Sequence, residues 1–398
     1  MNTTANTGAG SDQGIERNLS EPIWDALVVG AGPAGSLTAY ELSRLGKRVV
    51  LVDRGTFPRW KVCGATLSPG AGELLSQAGL GDLLSSMGAI PLHTLRLGGW
   101  GTRTDLSLNG SVAISRTSLD SALIESAINQ GARFIPGVRA RLGNLKSDGR
   151  MVTVHSRRGQ ATVTARIVIA ADGLGSGLMG QAGVPATVSS SPRRRLIGLG
   201  GVISSPALQF EAGVIHMAVG EEGYVGIVRV EDGSLNVAAA LDKDALKSGD
   251  SPAVLVQSIL QAGGWPHLPE PPPGGWKGTP ELTRTPPSAG AERILAVGDA
   301  AGYVEPFTGE GMFWALSGAR LLGPIAARAI SAWDPRLLDE WTTVHGRLMG
   351  RAQRLCRATA WTLARPSLSR TLIGVLETFP GLARPVIRRV GAPLLQKA

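Results

Sequence analysis

The chain has 398 residues, 43% of them hydrophobic, enough for one large domain or two intertwined ones with a real core. Its net charge is +9 and its isoelectric point about 10.1, carried mostly by arginine. A balance this basic suits an anionic cofactor or lipid surface, but no basic block is interleaved with aromatics, which argues against nucleic acid as a partner. The two cysteines, Cys63 and Cys356, are far apart and make no disulfide framework, so a reducing cytoplasm fits best. No pair among the five histidines has metal-ligand spacing, so no metal site is expected.

Residues 1–22 are polar and lack the apolar core of a signal peptide, so they read as a disordered tail. Residues 24–54 then read as strand, glycine turn, helix and strand. Gly30, Gly32 and Gly35 give G-x-G-x-x-G, with Ala34 in the turn. The first glycine permits a tight turn, the second lets backbone approach a pyrophosphate, and the third lets the helix pack close. The spacing predicts a helix from about Pro33 to Leu45, whose N-terminal N–H groups suit a diphosphate. Asp53 follows at the end of the second strand, 18 residues after Gly35 (35 to 53), where a carboxylate can take ribose hydroxyls. Arg54 stands next to it.

A loop over 54–69 carries Arg59, Lys61 and Cys63, and a helix begins near Pro69. Cations beside Cys63 can stabilise a thiolate; a buried, inert cysteine is the other reading. Residues 92–115 read as three short strands. The next helix has Thr117 or Ser118 as N-cap and Leu119, Leu123, Ile124 and Ile128 as its apolar face. Arg116 stands just before it. Residues 138–170 read as a three-stranded meander running into Asp172-Gly173, a turn that repeats the logic of the first motif. A four-stranded antiparallel sheet follows over 195–241, then a helix at 252–262 and a Pro/Gly-rich crossing segment at 268–280. A buried strand ending at Gly298-Asp299 leads through Pro306 and Gly309 to a long apolar helix that starts near Gly311 and Met312. From about 338 the chain is helical and arginine-rich; it suits either a cap on the core or an anionic membrane surface. No run of about 18 apolar residues exists, so no spanning helix is expected.

GAGPAG with Asp53, ADG at 171–173 and AVGDAAGYVEPFTGEG at 296–311 stand in that order, and together they resemble the FAD-dependent flavoprotein monooxygenase superfamily. That family shares the hydroxybenzoate-hydroxylase-like fold with geranylgeranyl reductases and flavin-dependent halogenases. The resemblance spans about residues 24–345. It implies an α/β fold: a Rossmann-like FAD-binding domain interleaved with an antiparallel-sheet substrate domain, plus C-terminal helices. The expected division is 23–91 with 112–185 and 280–345 for FAD, 92–111 with 186–279 for substrate, and 346–398 as a helical region. The resemblance also assigns roles. Gly30, Gly32 and Gly35 would cradle the diphosphate and Asp53 the ribose. Arg116 would contact the cofactor, Asp172 and Gly173 would serve FAD and NAD(P)H, and Asp299 would bind the ribityl chain. The backbone from Gly309 to Met312 would sit at the isoalloxazine.

The segment PRWKVCGATLSPGA at 58–71 is most similar to the geranylgeranyl-reductase branch. However, the Y-x-W-x-F-P of that branch is reduced to Tyr224 in GYVGIVRV at 223–230, and the halogenase W-x-W-x-I-P is absent. The resulting expectation is a monooxygenase that uses FAD, NAD(P)H and O2, alone or with a partner flavin reductase. It would hydroxylate or epoxidise a lipophilic aromatic or polyketide-like metabolite through a flavin C4a-hydroperoxide. The alternative is an FAD-dependent reductase of isoprenoid double bonds; halogenation comes third. Cys63, His216 and Tyr224 are the candidate catalytic side chains. The expected location is the cytoplasm, with peripheral contact at the inner face of the membrane through the C-terminal helices.

Overall fold

The computed structural model describes residues 23–157, 159–175, 177–188, 195–204, 209–247, 251–269, 271, 274–305, 307–363 and 365–390. The expected tail at 1–22 and Pro306 lie outside the described residues.

Strand β1 (Trp24–Val29) enters α1 (Pro33–Arg44) through the glycine turn, and β2 (Val49–Val52) returns parallel to it. Ala26–Val28 and Val49–Val52 have no exposed surface. A parallel strand is covered on both faces, which is why these segments are unbroken apolar runs. Each such side chain contributes about 1.5–3 kcal/mol by leaving water. Beyond β2 come β3 (Thr66–Leu67), α2 (Pro69–Gln77), α3 (Leu83–Ser86) and the long hairpin β4 (Ile90–Gly99) and β5 (Thr102–Ala113). Helix α4 (Arg116–Asn129) and β6 (Arg133–Ile135) bring the chain back beside β2. The meander β7 (Arg139–Leu145), β8 (Arg150–Ser156) and β9 (Gly159–Ala170) ends in a strand that also lies parallel to β1.

Past α5 (Gly177–Gln181) and β10 (Thr187–Val188) the chain builds β11 (Leu196–Ile203), β12 (Val214–Gly220), β13 (Gly223–Arg229) and β14 (Leu235–Asp242). It continues through α6 (Lys243–Lys247), α7 (Pro252–Ala262), β15 (Lys277–Glu281), β16 (Arg284–Thr285), β17 (Gly290–Ala291) and β18 (Ile294–Ala296). Four helices close it: α8 (Gly311–Ser331), α9 (Pro335–Leu363), α10 (Pro366–Thr378) and α11 (Arg384–Val390).

The first sheet has the order β17-β18-β9-β1-β2-β6, and β18, β9, β1, β2 and β6 run parallel. Its register positions the site. Val29 pairs with Ala170, and Ala170 with Ala296. Three strands therefore end at one level, and their loops (the glycine turn, Asp172-Gly173 and Gly298-Asp299) emerge together. The carboxyl ends of parallel strands are where such sheets bind ligands.

The second sheet has the order β15-β11-β14-β13-β12-β4-β5-β3 and is antiparallel except where β12 meets β4. One face packs on α7 with Phe210 and Trp265. The other packs Leu97, Leu106 and Val219 against Leu363, Ile373 and Leu376 of the C-terminal helices.

Some local expectations are corrected. Strand β5 is continuous where the sequence reads as two strands; a bulge takes up Leu108–Gly110, because Leu92 pairs with Ser111 but Thr94 with Ser107. The N-cap of α4 is Ser115, whose hydroxyl accepts from the Ser118 N–H, rather than Thr117 or Ser118. Ile128 is 46% exposed, and Ala127 takes the inward place on that turn. The crossing segment at 268–280 runs into β15, which pairs with β11.

Candidate active site

The glycine turn is fixed by contact with its neighbours. A Cβ on Gly30, whose φ is +109°, would stand 2.1 Å from the Ala171 carbonyl oxygen, and one on Gly35 would stand 1.8 Å from the Gly30 oxygen. The turn thus lies directly on the end of β9, and no side chain fits between them. Asp53 clamps it from below. Its Oδ2 accepts the Ala31 N–H at 2.8 Å and its Oδ1 accepts the Gly55 N–H at 2.7 Å, leaving acceptor capacity on Oδ1. Helix α1 starts at Gly32 with no side-chain cap, so its first N–H groups remain open to a ligand.

A network of charges borders this turn. Arg116 grips Asp120 in a two-pronged ion pair of 2.7 and 2.8 Å, one helical turn apart, and both are buried. Burial works against the guanidinium, and the Asp120 carboxylate more than offsets it, so the cation is held firmly. Arg59 bridges Asp53 and Asp120 at 3.2 and 3.7 Å. Breaking such a buried pair on one side strands the other charge, a cost of about 3–5 kcal/mol. Lys61 is lowered by burial and then by Arg116, while Asp299 acts in the other direction. Asp299 itself is raised by burial, with Lys61 and Arg116 opposing.

Lys61, Arg116 and Asp299 line one end of a cavity of about 1050 Å³, with Asp53, Arg59 and Asp120 behind them. Its walls include Gly32, Arg116, Gly173, Asp299 and Met312 at that end, the second sheet through Leu95, Met217 and Tyr224, and the C-terminal helices. Tyr224 is held edge-on to Phe307 with ring centroids 4.9 Å apart. Its hydroxyl donates to Glu305, and burial followed by that carboxylate pushes it well above the ordinary tyrosine value. Thr308 lies 3.2 Å from the Cys356 thiol and donates to Glu310 at 3.3 Å. Burial raises Glu310 to about 8 and Cys356 to about 11. Helix α8 begins at Glu310 without a side-chain cap, so a second free helix N-terminus faces the same space through Gly311 and Met312.

A family model described as "FAD binding domain" matches residues 24–352. The chain belongs to the FAD binding domain family. Among relatives of this flavoprotein, the menaquinone reductase of Mycolicibacterium smegmatis is 30% identical over 345 residues, covering 79% of this chain and 80% of that one. The rifampicin monooxygenase of Streptomyces venezuelae is 26% identical, covering 93% and 79%. Among solved structures, the myxobacterial chondrochloren halogenase CndH matches with a TM-score of 0.74 and 18% identity, covering 95% of this chain and 92% of that one, a likeness of fold. The protein is thus an FAD-dependent oxidoreductase.

The residues present fit FAD. Two uncapped helix N-termini meet the cavity, the glycine turn leaves no room for side chains, and the Arg116 guanidinium stands 3.4 Å from where a Gly32 Cβ would be. Gly32 and the α1 N–H groups would hold the diphosphate, Asp53 a ribose, and Asp299 a polyol. FAD supplies hydride or oxygen chemistry when bound.

Of the sequence-predicted positions, Gly32, Ala34, Arg116, Gly173, Asp299, Gly309, Gly311 and Met312 line the cavity together with Cys63 and Tyr224. Gly30, Gly35 and Asp53 stand behind it and shape the turn. Asp172 Oδ2 accepts the Leu178 N–H at 3.2 Å and keeps its loop in place. Arg54 is exposed and outside the lining. His216 is a correction. It points to the opposite face of β12, 1% exposed, between Phe210 and Trp265 with centroids 5.1 and 5.2 Å away. Successive strand residues face opposite sides, so Met217 reaches the cavity and His216 does not. Sequence reasoning missed Asp120 and Glu305. The Arg116–Asp120 spacing of four in a helix is a legible signal for the first; the second has none.

Proposed function

We propose that this oxidoreductase reduces a carbon–carbon double bond in a long, apolar substrate of isoprenoid or quinone type, with NAD(P)H as the electron source. One observation carries the reading: the cavity does not end at the cofactor positions but continues as an apolar passage between the second sheet and the C-terminal helices. Such a shape suits an extended hydrocarbon chain better than a compact ring. The reductase named among the relatives is consistent with it.

Reduction of a double bond takes a hydride, which reduced FAD supplies, and a proton, which the chain must supply. Tyr224 is the candidate donor: the residue lines the cavity, and a tyrosine hydroxyl is protonated at neutral pH. Cys63, half-buried on the opposite loop, is the second candidate. Its backbone is held by Asn236, whose Nδ2 donates to the Cys63 carbonyl at 2.8 Å. Tyr224→Phe keeps the ring contact with Phe307 and removes the hydroxyl, with its hydrogen bond to Glu305. It is expected to lower kcat by about 100-fold or more with little change in KM in steady-state assays, and to slow single-turnover oxidation of the reduced enzyme by a similar factor.

Monooxygenation is the second reading. The water-excluding apolar walls favour it equally, because oxygen transfer needs shelter from water more than an acid–base pair. Oxygen dependence separates the two. A gain of two hydrogens in product mass under nitrogen supports reduction; a gain of one oxygen atom, lost under nitrogen, replaces it with monooxygenation.

A further inference from the structure

We propose that α10, the turn Pro380–Ala383 and α11 form a docking surface for an anionic lipid bilayer, and that the cavity opens through it. The second half of this proposal rests on the lipophilic substrate inferred above; the docking surface does not.

Helix α10 is apolar on two neighbouring faces, about 100° apart around its axis. Ser369, Ile373 and Leu376 are buried on the protein side, where Thr104 donates to the Leu376 carbonyl at 3.0 Å. Leu368, Leu372, Val375 and Phe379, spaced by four, three and four residues, form a second stripe that faces solvent. Leu382 and Val386 extend it, and Phe379 and Leu382 are each 61% exposed. Of eleven large apolar side chains exposed among the described residues, seven lie within 361–386. Scattered exposure needs no explanation, but a contiguous patch marks an interaction site.

Charge selects the partner. Residues 365–390 contain five arginines and a single acidic residue, Glu377. Arg384, Arg388 and Arg389 border an open groove, and Arg365 lies over the exposed Trp361 ring at 3.6 Å. An amphipathic helix with apolar, aromatic and arginine side chains at one surface is the form that lies in a bilayer interface. A second copy of the chain is the poorer occupant. A two-fold contact would set this arginine-rich face against itself, and like charges would oppose it. No helix among the described residues is long and apolar enough to cross a membrane, so contact is in the interface plane.

The same surface is the outer end of the cavity. Leu372, Val375, Leu382, Arg384, Val386 and Arg388 belong to its lining, as do Asp299 and Met312 at the inner end. A lipid chain drawn from the bilayer reaches the cofactor without passing through water.

The test uses the full-length, FAD-loaded protein in sedimentation with two vesicle types: phosphatidylcholine alone, and equal parts phosphatidylcholine and phosphatidylglycerol. The protein is expected to sediment with the anionic vesicles, to bind the neutral ones far less, and to be released by salt. Leu368→Asp with Phe379→Asp, and separately Arg370→Glu with Arg389→Glu, change exposed residues outside the cavity lining. Each pair is expected to weaken vesicle binding about tenfold or more while flavin absorbance and Tm stay unchanged. Absence of binding to anionic vesicles, or unaltered binding by both variants, overturns the proposal. So does a concentration-dependent dimer, seen by sizing, that these substitutions break. Turnover then separates the two readings. The variants should lose activity on a long-chain isoprenoid quinone held in vesicles and keep it on a short isoprenoid alcohol in solution. Vesicle binding with no turnover of either substrate leaves the docking surface standing and removes the reaction.

Discussion

His216 is a core side chain whose titration is set by its surroundings. Burial, then Arg96, lowers it to about 4 from the usual 6.5. The folded protein therefore resists protonation that the unfolded chain accepts. The stability this gives is complete above pH 6.5 and is lost as pH falls from there towards 4. His216→Phe fits the aromatic slot between Phe210 and Trp265. Its Tm is expected to fall less steeply over that window than the native protein's, in thermal melts from pH 7 to pH 4. His345, lowered by burial to about 4, retains part of the acid sensitivity. Turnover of the variant should stay within about threefold of native, as for a residue that touches neither cofactor nor substrate; a loss of about 100-fold restores it as a catalytic candidate. Tyr224, on the neighbouring strand, pairs with Val219 and so shares the face of Met217 that lines the cavity, the face opposite to His216.

Strand ends and helix starts, more than single side chains, make the cofactor site. The level register of β1, β9 and β18 lets three loops meet, and each loop turns sharply through a glycine with positive φ at Gly30, Gly173 or Gly298. The glycine turn is the least tolerant of these. Gly35→Ala places a methyl carbon 1.8 Å from the Gly30 carbonyl oxygen, a clash that no rotamer relieves because the backbone fixes the Cβ position and the oxygen is itself backbone. The helix must then lift from the strand. Gly35→Ala is expected to purify without yellow colour and to show at least a tenfold weaker FAD affinity in fluorescence titration, roughly 1.4 kcal/mol or more. Gly180→Ala serves as the control, since nothing stands within 4 Å of its added Cβ.

At the scale of the whole molecule, distant stretches of chain close around one cavity. The glycine turn, the Lys61–Cys63 loop, the second sheet, the start of α8 and the C-terminal helices all contribute to its lining. A ligand held at their junction ties the two sheets together, so FAD stabilises the whole fold by mass action. Free FAD at 100 times its Kd adds about 2.7 kcal/mol. Stripping FAD is expected to lower Tm by about 3 °C, and re-addition to restore it in proportion to the logarithm of FAD concentration. A Tm independent of FAD places the cofactor elsewhere.

The sequence by itself determined the family, the cofactor and most of the elements around them. The glycine turn, Asp53, Arg116 and the Gly298-Asp299 and Gly309–Met312 loops are legible because local backbone geometry dictates their residue types. Only glycine fits beside Gly30, and an uncapped helix start needs its motif at a fixed spacing. Only the tertiary structure decided what depends on long-range register. It sent His216 and Met217 to opposite faces, and brought Glu305 to Tyr224 and Asp120 to Arg59. It also joined the C-terminal helices to the cavity and left an apolar stripe of α10 uncovered. Periodicity announces that a strand or helix has two faces; which face meets the cofactor is fixed by partners far along the chain.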